Sequence, residues 1–246
     1  LRFDAAGTAL WSNIFKIALS ESWLSERALS LSADGSGGVW IAWEDQRRIW
    51  GDIYVTRIDG AANLLWRNEQ RCHWDSGTAR RGAQAVYAGD AGVAWVAWED
   101  TRGGGNDLYM QQVAEGQARF SDHFEVGSES SSTKFDPVIS TFPPDGVLVA
   151  WEDTRTDHAD SAVFLQRFDS SGNQLWLDDR IASPDTYGQG GHPSLTPDIV
   201  EGSWLAWQQI TGTPRVMLQY LDGDGNPEWP DPVEVPAYRY ADGYVY

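Results

Sequence analysis

Gly38-Val39-Trp40-Ile41-Ala42-Trp43-Glu44-Asp45-Gln46-Arg47 decides the fold, because its second half is written again downstream. Trp-Glu-Asp-x-Arg recurs as Trp98-Glu99-Asp100-Thr101-Arg102 and as Trp151-Glu152-Asp153-Thr154-Arg155, and a degraded fourth copy stands at Trp207-Gln208-Gln209. The Trp-to-Trp spacings are 55, 53 and 56 residues. Self-similarity at such a period is written by a tandem array of one structural unit. A residue that recurs once per unit is expected first to build that unit.

The residues leading into each copy are nearly continuous apolar runs: Gly38 to Trp43, Gly92 to Trp98, Gly146 to Trp151 and Gly202 to Trp207. Runs of that length and composition predict short strands buried on both faces. Upstream of each lies a segment of small and aliphatic residues, at Ala28 to Ser32, Ala83 to Tyr87, Pro137 to Thr141 and Pro193 to Leu195. Downstream come Ile53 to Ile58, Leu108 to Val113, Val163 to Phe168 and Val216 to Leu221, of strand length and rich in β-branched and aromatic residues. These lead into a turn in all units but the second. Asp59 to Trp66, Asp169 to Trp176, Asp222 to Trp229 and Asp4 to Trp11 keep one spacing, with Gly7, Gly172 and Gly225 three residues after the Asp. Asp-x-x-Gly between apolar runs is a hairpin turn, the Asp capping its own backbone and the Gly supplying positive φ. A last strand is expected around the Trp.

Four short antiparallel strands, A to D, in each unit of about 54 residues predict an all-β chain folded as a β-propeller. The phase predicts five blades in one domain over residues 1–246. Units fall at about 24–78, 79–133, 134–188 and 189–235, and residues 1–23 and 236–246 share the fifth blade. A piece of a six- to eight-bladed ring is the alternative. The unit reads G-x-x-x-A-W-E-D-x-R, a gap, then I-Y-x-Q-R-x-D-x-x-G-x-x-L-W. It resembles a repeat of large secreted and surface-anchored bacterial proteins that forms β-propellers. The resemblance covers nearly the whole chain and implies export and a propeller, with no particular activity. The fourth unit departs from it at Gln208-Gln209.

Composition narrows the partners. Thirty-six acidic against 18 basic residues give a formal net charge of −18, which repels phosphate backbones and argues against nucleic acid. No run approaches 18 apolar residues, so direct membrane insertion by a helix is not expected. One cysteine, Cys72, permits no intrachain disulfide. The sequence given opens at Leu1, and the chain is expected to be part of a longer polypeptide.

The candidate sites follow from the repeat and from its breaks. An Asp in the turn after the B strand can accept backbone N–H groups, and an Arg can pair with it. On that reading Glu44, Asp45, Arg47, Glu99, Asp100, Arg102, Glu152, Asp153 and Arg155 are structural. Their functional reading is a ring of charge around one mouth of the propeller, altered at Gln208 and Gln209. Trp50 and Trp74 lie in connections and are not repeated, so they are candidates for stacking on a sugar or anchoring a protein. Asp222, Asp224, Asn226 and Glu228 place oxygen atoms at alternate positions of a Gly-containing loop, as Ca²⁺ requires, and the ordinary turn is the other reading. His73, His123, His158 and His192 lie in separate connections without ligand spacing. The leading expectation is a non-enzymatic interaction or assembly module, secreted or at a bacterial cell surface, with a protein or glycan partner. A carbohydrate-binding propeller or a five-bladed glycoside hydrolase is the second reading, and a subunit of an extracellular fibre the third. A hydrolase would draw its carboxylates from acids that break the repeat, such as Asp136 or Asp198.

Overall fold

The computed structural model describes residues 3–10, 26–45, 51–65, 70–72, 80–87, 92–102, 104–114, 117–120, 123–127, 131–142, 146–155, 161–183, 189–198 and 202–236. Among these residues no helix is long and apolar enough to cross a membrane.

Four antiparallel sheets follow one another along the chain, each wound in sequence order. The first holds β1 (Glu26–Ala33), β2 (Val39–Asp45), β3 (Asp52–Ile58) and β4 (Gln70–Arg71). The second holds β5 (Arg80–Tyr87), β6 (Val93–Asp100), β7 (Asp107–Ala114) and β8 (Gln117–Ala118), and β9 (Phe124–Val126) also pairs with β7. The third is β10 (Lys134–Phe142), β11 (Gly146–Asp153), β12 (Ala162–Phe168) and β13 (Arg180–Ile181). The fourth is β14 (Gln189–Pro197), β15 (Ser203–Thr211), β16 (Thr213–Leu221) and β17 (Val233–Val235). The first strands touch in succession, β1 on β5, β5 on β10 and β10 on β14. This is the blade arrangement of a β-propeller, with the A strands innermost. Of the residues expected to form the fifth blade, 1–23 and 236–246, those at 1–2, 11–23 and 237–246 lie outside the described residues.

The second strands of the middle sheets, β6 and β11, are apolar up to the motif Trp because sheets pack on both of their faces. In β6, Ala94, Val96 and Trp98 join Trp40, Ala42, Ile53 and Val55 of the first sheet in one core layer. Trp95 and Ala97 join Val147, Val149, Trp151, Phe164 and Phe168 of the third sheet in the next. A third layer sets Leu148, Ala150, Val163 and Leu165 against Leu205, Trp207, Met217 and Leu221. Trp40, Trp95 and Leu148 are 0%, 1% and 0% exposed, whereas their counterpart Trp204 is 36% exposed.

Two boundaries differ from expectation. The Glu-Asp pair was expected in the B–C turn, but it closes the B strand, as the pairs Glu152↔Val163 and Asp153↔Ala162 show. The fourth strand does not contain the Trp that follows the Asp turn; β13 and β17 start four residues beyond Trp176 and Trp229. A buried glutamine fills the gap. Gln166 Nε2 donates to Trp176 O (3.3 Å), while its Oε1 accepts Arg167 N–H (2.9 Å) and Trp176 N–H (3.3 Å). Gln219 does the same for Tyr220 and Trp229, and Gln111 for Gln112 and Phe120. A side-chain amide has the donor and acceptor of a peptide group, so it satisfies backbone that the ladder cannot reach.

Candidate functional site

The repeated motif is consumed within the fold. Trp151 Nε1 donates to Asp153 Oδ2 at 3.1 Å, and Trp43 Nε1 to Asp45 Oδ2 at 3.4 Å. Asp153 Oδ1 accepts Arg155 N–H at 2.9 Å, and its Oδ2 pairs with the Arg155 guanidinium, which reaches Asp179 Oδ2 at 2.6 Å with its other arm. Burial alone would raise the Asp153 carboxyl pKa, but the hydrogen bonds from Arg155 hold it below the ordinary range. The same guanidinium lies 4.2 Å over the Phe164 ring, and that of Arg102, paired with Asp100, lies 4.0 Å over Tyr109. In the fourth unit Gln209 keeps the clasp: Trp207 Nε1 donates to Gln209 Oε1 at 2.8 Å. Arg47, Trp50 and Trp74 lie outside the described residues.

The Glu of the motif works between blades. Glu99 Oε1 accepts the N–H of Asp136 at 2.9 Å, and Oε2 accepts Asn106 Nδ2 at 2.9 Å. Glu152 Oε2 faces the N–H of His192 at 3.4 Å, and its Oε1 accepts the Ser161 hydroxyl at 2.6 Å. Gly191 makes room for that carboxylate, since a Cβ there would stand 2.4 Å from Glu152 Oε2.

These clamps end on a feature that every unit shares. Each inner strand is bulged at the same place: the register shifts between Arg27 and Ser30, Arg81 and Gln84, Phe135 and Val138, and Gly191 and Ser194. A bulge re-aims one side chain out of the ladder. The residues there are Ala28, Gly82, Asp136 and His192. The last two have φ of 47° and 51° and precede Pro137 and Pro193. Positive φ ahead of a proline is an uncommon backbone state, one that Asp and His tolerate better than most residues.

The third and fourth bulges bring two repeat-breaking side chains together. His192 Nδ1 lies 2.8 Å from Asp136 Oδ2, with His192 71% and Asp136 48% exposed. With Glu152 they form a group whose ligand atoms all lie within 4.8 Å of one another, the one such group of three among the described residues. A carboxylate and an imidazole at the inner rim supply donor and acceptor atoms to solvent. Asp136 was legible as an acid outside the repeat. Chain spacing carries no sign of the role of His192, because its partner comes from another sheet, although each stands fifteen residues ahead of its Trp.

The other candidates stand apart from this rim. Asp222 Oδ1 accepts the N–H groups of Asp224 and Asn226 at 2.9 and 2.8 Å, as Asp169 does in its own turn. Burial works to raise the Asp222 carboxyl, and the Asn226 hydrogen bonds bring it below the ordinary range. Arg180 of the preceding blade, stacked 3.8 Å over Trp176, donates to Gly225 O and Asn226 Oδ1, both at 3.0 Å. A calcium ion at Asp222, Asp224, Asn226 and Glu228 would share the loop with this guanidinium. His123 packs edge-on against Trp98 and Tyr109. Burial pushes the Cys72 thiol pKa up, away from thiolate chemistry. Asp198 accepts the Tyr220 hydroxyl at 2.8 Å. His73 and His158 lie outside the described residues.

No family profile matches the sequence, and no curated protein does. Solved structures do. A GH93 α-L-arabinofuranosidase of Fusarium graminearum, in complex with arabinobiose, superposes with a TM-score of 0.57 at 12% identity, over 89% of this chain and 67% of that one. A subtype N10 neuraminidase-like protein of A/little yellow-shouldered bat/Guatemala gives 0.56 at 14%, over 86% of this chain and 58% of its own length. An endo-arabinase from Bacteroides thetaiotaomicron gives 0.50 at 14%, over 92% and 80%. At these identities the likeness is one of fold.

Proposed function

We propose that the chain is a non-enzymatic recognition module, secreted or displayed at a cell surface, which binds a glycan at the inner rim between its third and fourth sheets. The observation that carries this reading is the Asp136–His192 pair. It breaks the repeat, its two members come from different blades, and it faces solvent at the bulges. The repeated Glu, Asp and Arg side chains described above are engaged within the fold, which supports a structural use for them. A carboxylate beside an imidazole can accept from and donate to neighbouring hydroxyls of one sugar ring, and polar groups fixed on rigid strands give orientation at little entropic cost. Solved structures of like fold include an endo-arabinase and an α-L-arabinofuranosidase in complex with arabinobiose, and this supports a saccharide ahead of a protein partner or fibre assembly.

A hydrolase reading rests on one observation, that an oxygen of Asp136 and one of Glu152 lie within 4.8 Å, near the separation of about 5–5.5 Å used by retaining glycosidases. Binding is favoured because Asp136 is paired with His192, and Glu152 serves Ser161 and the His192 backbone. A glycan array on the intact chain, followed by calorimetry on the hits, tests the reading. Saccharide binding weakened by Asp136→Asn and His192→Asn, without release of reducing ends, is the expected result. Hydrolysis abolished by Asp136→Asn would establish the enzyme instead, and no glycan binding would remove the proposal.

A further inference from the structure

We infer that the Asp136–Glu152–His192 group is a divalent-cation site for an ion of the zinc or manganese class. The inference deepens the ligand-binding reading of the same rim, on which it rests. Three different donors converge there from three strands: Asp136 from the bulge of β10, Glu152 from the end of β11 and His192 from the bulge of β14. Each offers one ligand atom within 4.8 Å of the others. Metal–ligand bonds of about 2.0–2.1 Å on a tetrahedron put ligand atoms about 3.3 Å apart. The Nδ1–Oδ2 contact of 2.8 Å therefore has to open slightly and the widest separation has to close. Both movements are available to Asp136 and His192, whose side chains are 48% and 71% exposed and end the contact network.

The donor set selects the ion. Two carboxylates and one imidazole are a mixed oxygen–nitrogen set, which suits zinc or manganese better than calcium, whose sites are built from oxygen alone. Two carboxylates converging beside one imidazole make the group electrostatically favourable for a cation. The cradle for the third donor is already made, because Gly191 leaves the space into which the Glu152 carboxylate projects. Three protein ligands leave at least one position open. Adjacent hydroxyls of a sugar could occupy open positions, and the saccharide would then be gripped through the ion.

The test is calorimetric titration of the chelator-stripped chain with Zn²⁺ and with Mn²⁺, in the absence of glycan. His192→Asn and Asp136→Asn are the variants, because Asn tolerates the positive φ at both positions while removing the donor. Asp224→Ala serves as the control. One ion per chain is expected, weakened about tenfold or more in both rim variants and unchanged in the control. Absence of one-to-one binding, or binding that both rim variants retain, overturns the cation site. Glycan binding that survives chelator but is lost in His192→Asn overturns the grip through the ion and leaves the ligand-binding reading standing. One-to-one ion binding lost in the rim variants, with no glycan bound under any condition, supports the cation site and removes the glycan reading.

Discussion

At the scale of single residues, the sequence shows where a unit is anchored. Asp153 is buried, accepts from Trp151 and Arg155, and is the reason an Asp recurs at that place. Asp153→Ala leaves the Arg155 guanidinium with Asp179 alone and takes the acceptor from Trp151 Nε1, and it should cost about 1–3 kcal/mol; urea unfolding measures it. Ala62 makes the converse point. It occupies the Gly position of the Asp59 turn with a φ of 70°. Left-handed backbone costs an alanine about 1–2 kcal/mol, and glycine's extra unfolded-state entropy costs about 0.5–1 kcal/mol. Ala62→Gly should therefore raise stability by about 0.5–1 kcal/mol in the same assay. Arg57 and Asp34 illustrate what the repeat does not announce: the guanidinium donates to Asp34 Oδ2 at 2.9 and 2.7 Å, a pairing of two residues 23 apart that no local pattern reveals.

At the scale of elements, strand content was legible because it rests on local signals. Short apolar runs that follow a Gly and end at the motif Trp mark β2, β6, β11 and β15, and β-branched or aromatic runs mark β3, β7, β12 and β16. The last strand of each blade was misplaced because Gln166 and Gln219 hold the Trp segment by side-chain amides, and periodicity carries no sign of that. The inner bulges were invisible for a related reason. Those of β10 and β14 are held by Glu99 and Glu152 reaching from the preceding blade, so what holds them lies outside the strand that bears them. Asp136 could be named from sequence as an acid out of register with the repeat, but its partner could not. Glu99→Ala takes the acceptor from the Asp136 N–H and leaves Asn106 Nδ2 with Lys134 O alone. It should destabilise the chain by about 1–3 kcal/mol, and hydrogen exchange at the Asp136 amide should quicken more than at amides within β6.

For the whole molecule, stability and function fall on different residues of the same array. Its acid response follows from the turns and clasps. Burial works to raise the Asp34 carboxyl, but the Arg57 hydrogen bonds, with those from Ser36 and Gly38, bring it down to about 2. Asp153, Asp169 and Asp222 are lowered as well, in each case against burial, by hydrogen bonds. Because these carboxyls bind protons less readily in the folded chain than in the unfolded one, their contribution is complete above about pH 4. It is lost as pH falls through about 4 to 2, with Asp34 alone accounting for on the order of 2 kcal/mol. Denaturant midpoints measured across that range should fall monotonically, and a flat profile would contradict the assignment. The large negative charge adds self-repulsion at neutral pH, which salt relieves.

The division of labour between repeated and repeat-breaking residues is tested most directly by calorimetric saccharide titration of three variants beside the wild type: Asp136→Asn, His192→Asn and Asp100→Ala. The account predicts that Asp136→Asn and His192→Asn keep wild-type stability and lose saccharide binding. Asp100→Ala should lose stability and, at a temperature where it remains folded, still bind. Wild-type stability with abolished binding in Asp100→Ala, alongside undiminished binding in both rim variants, would contradict it.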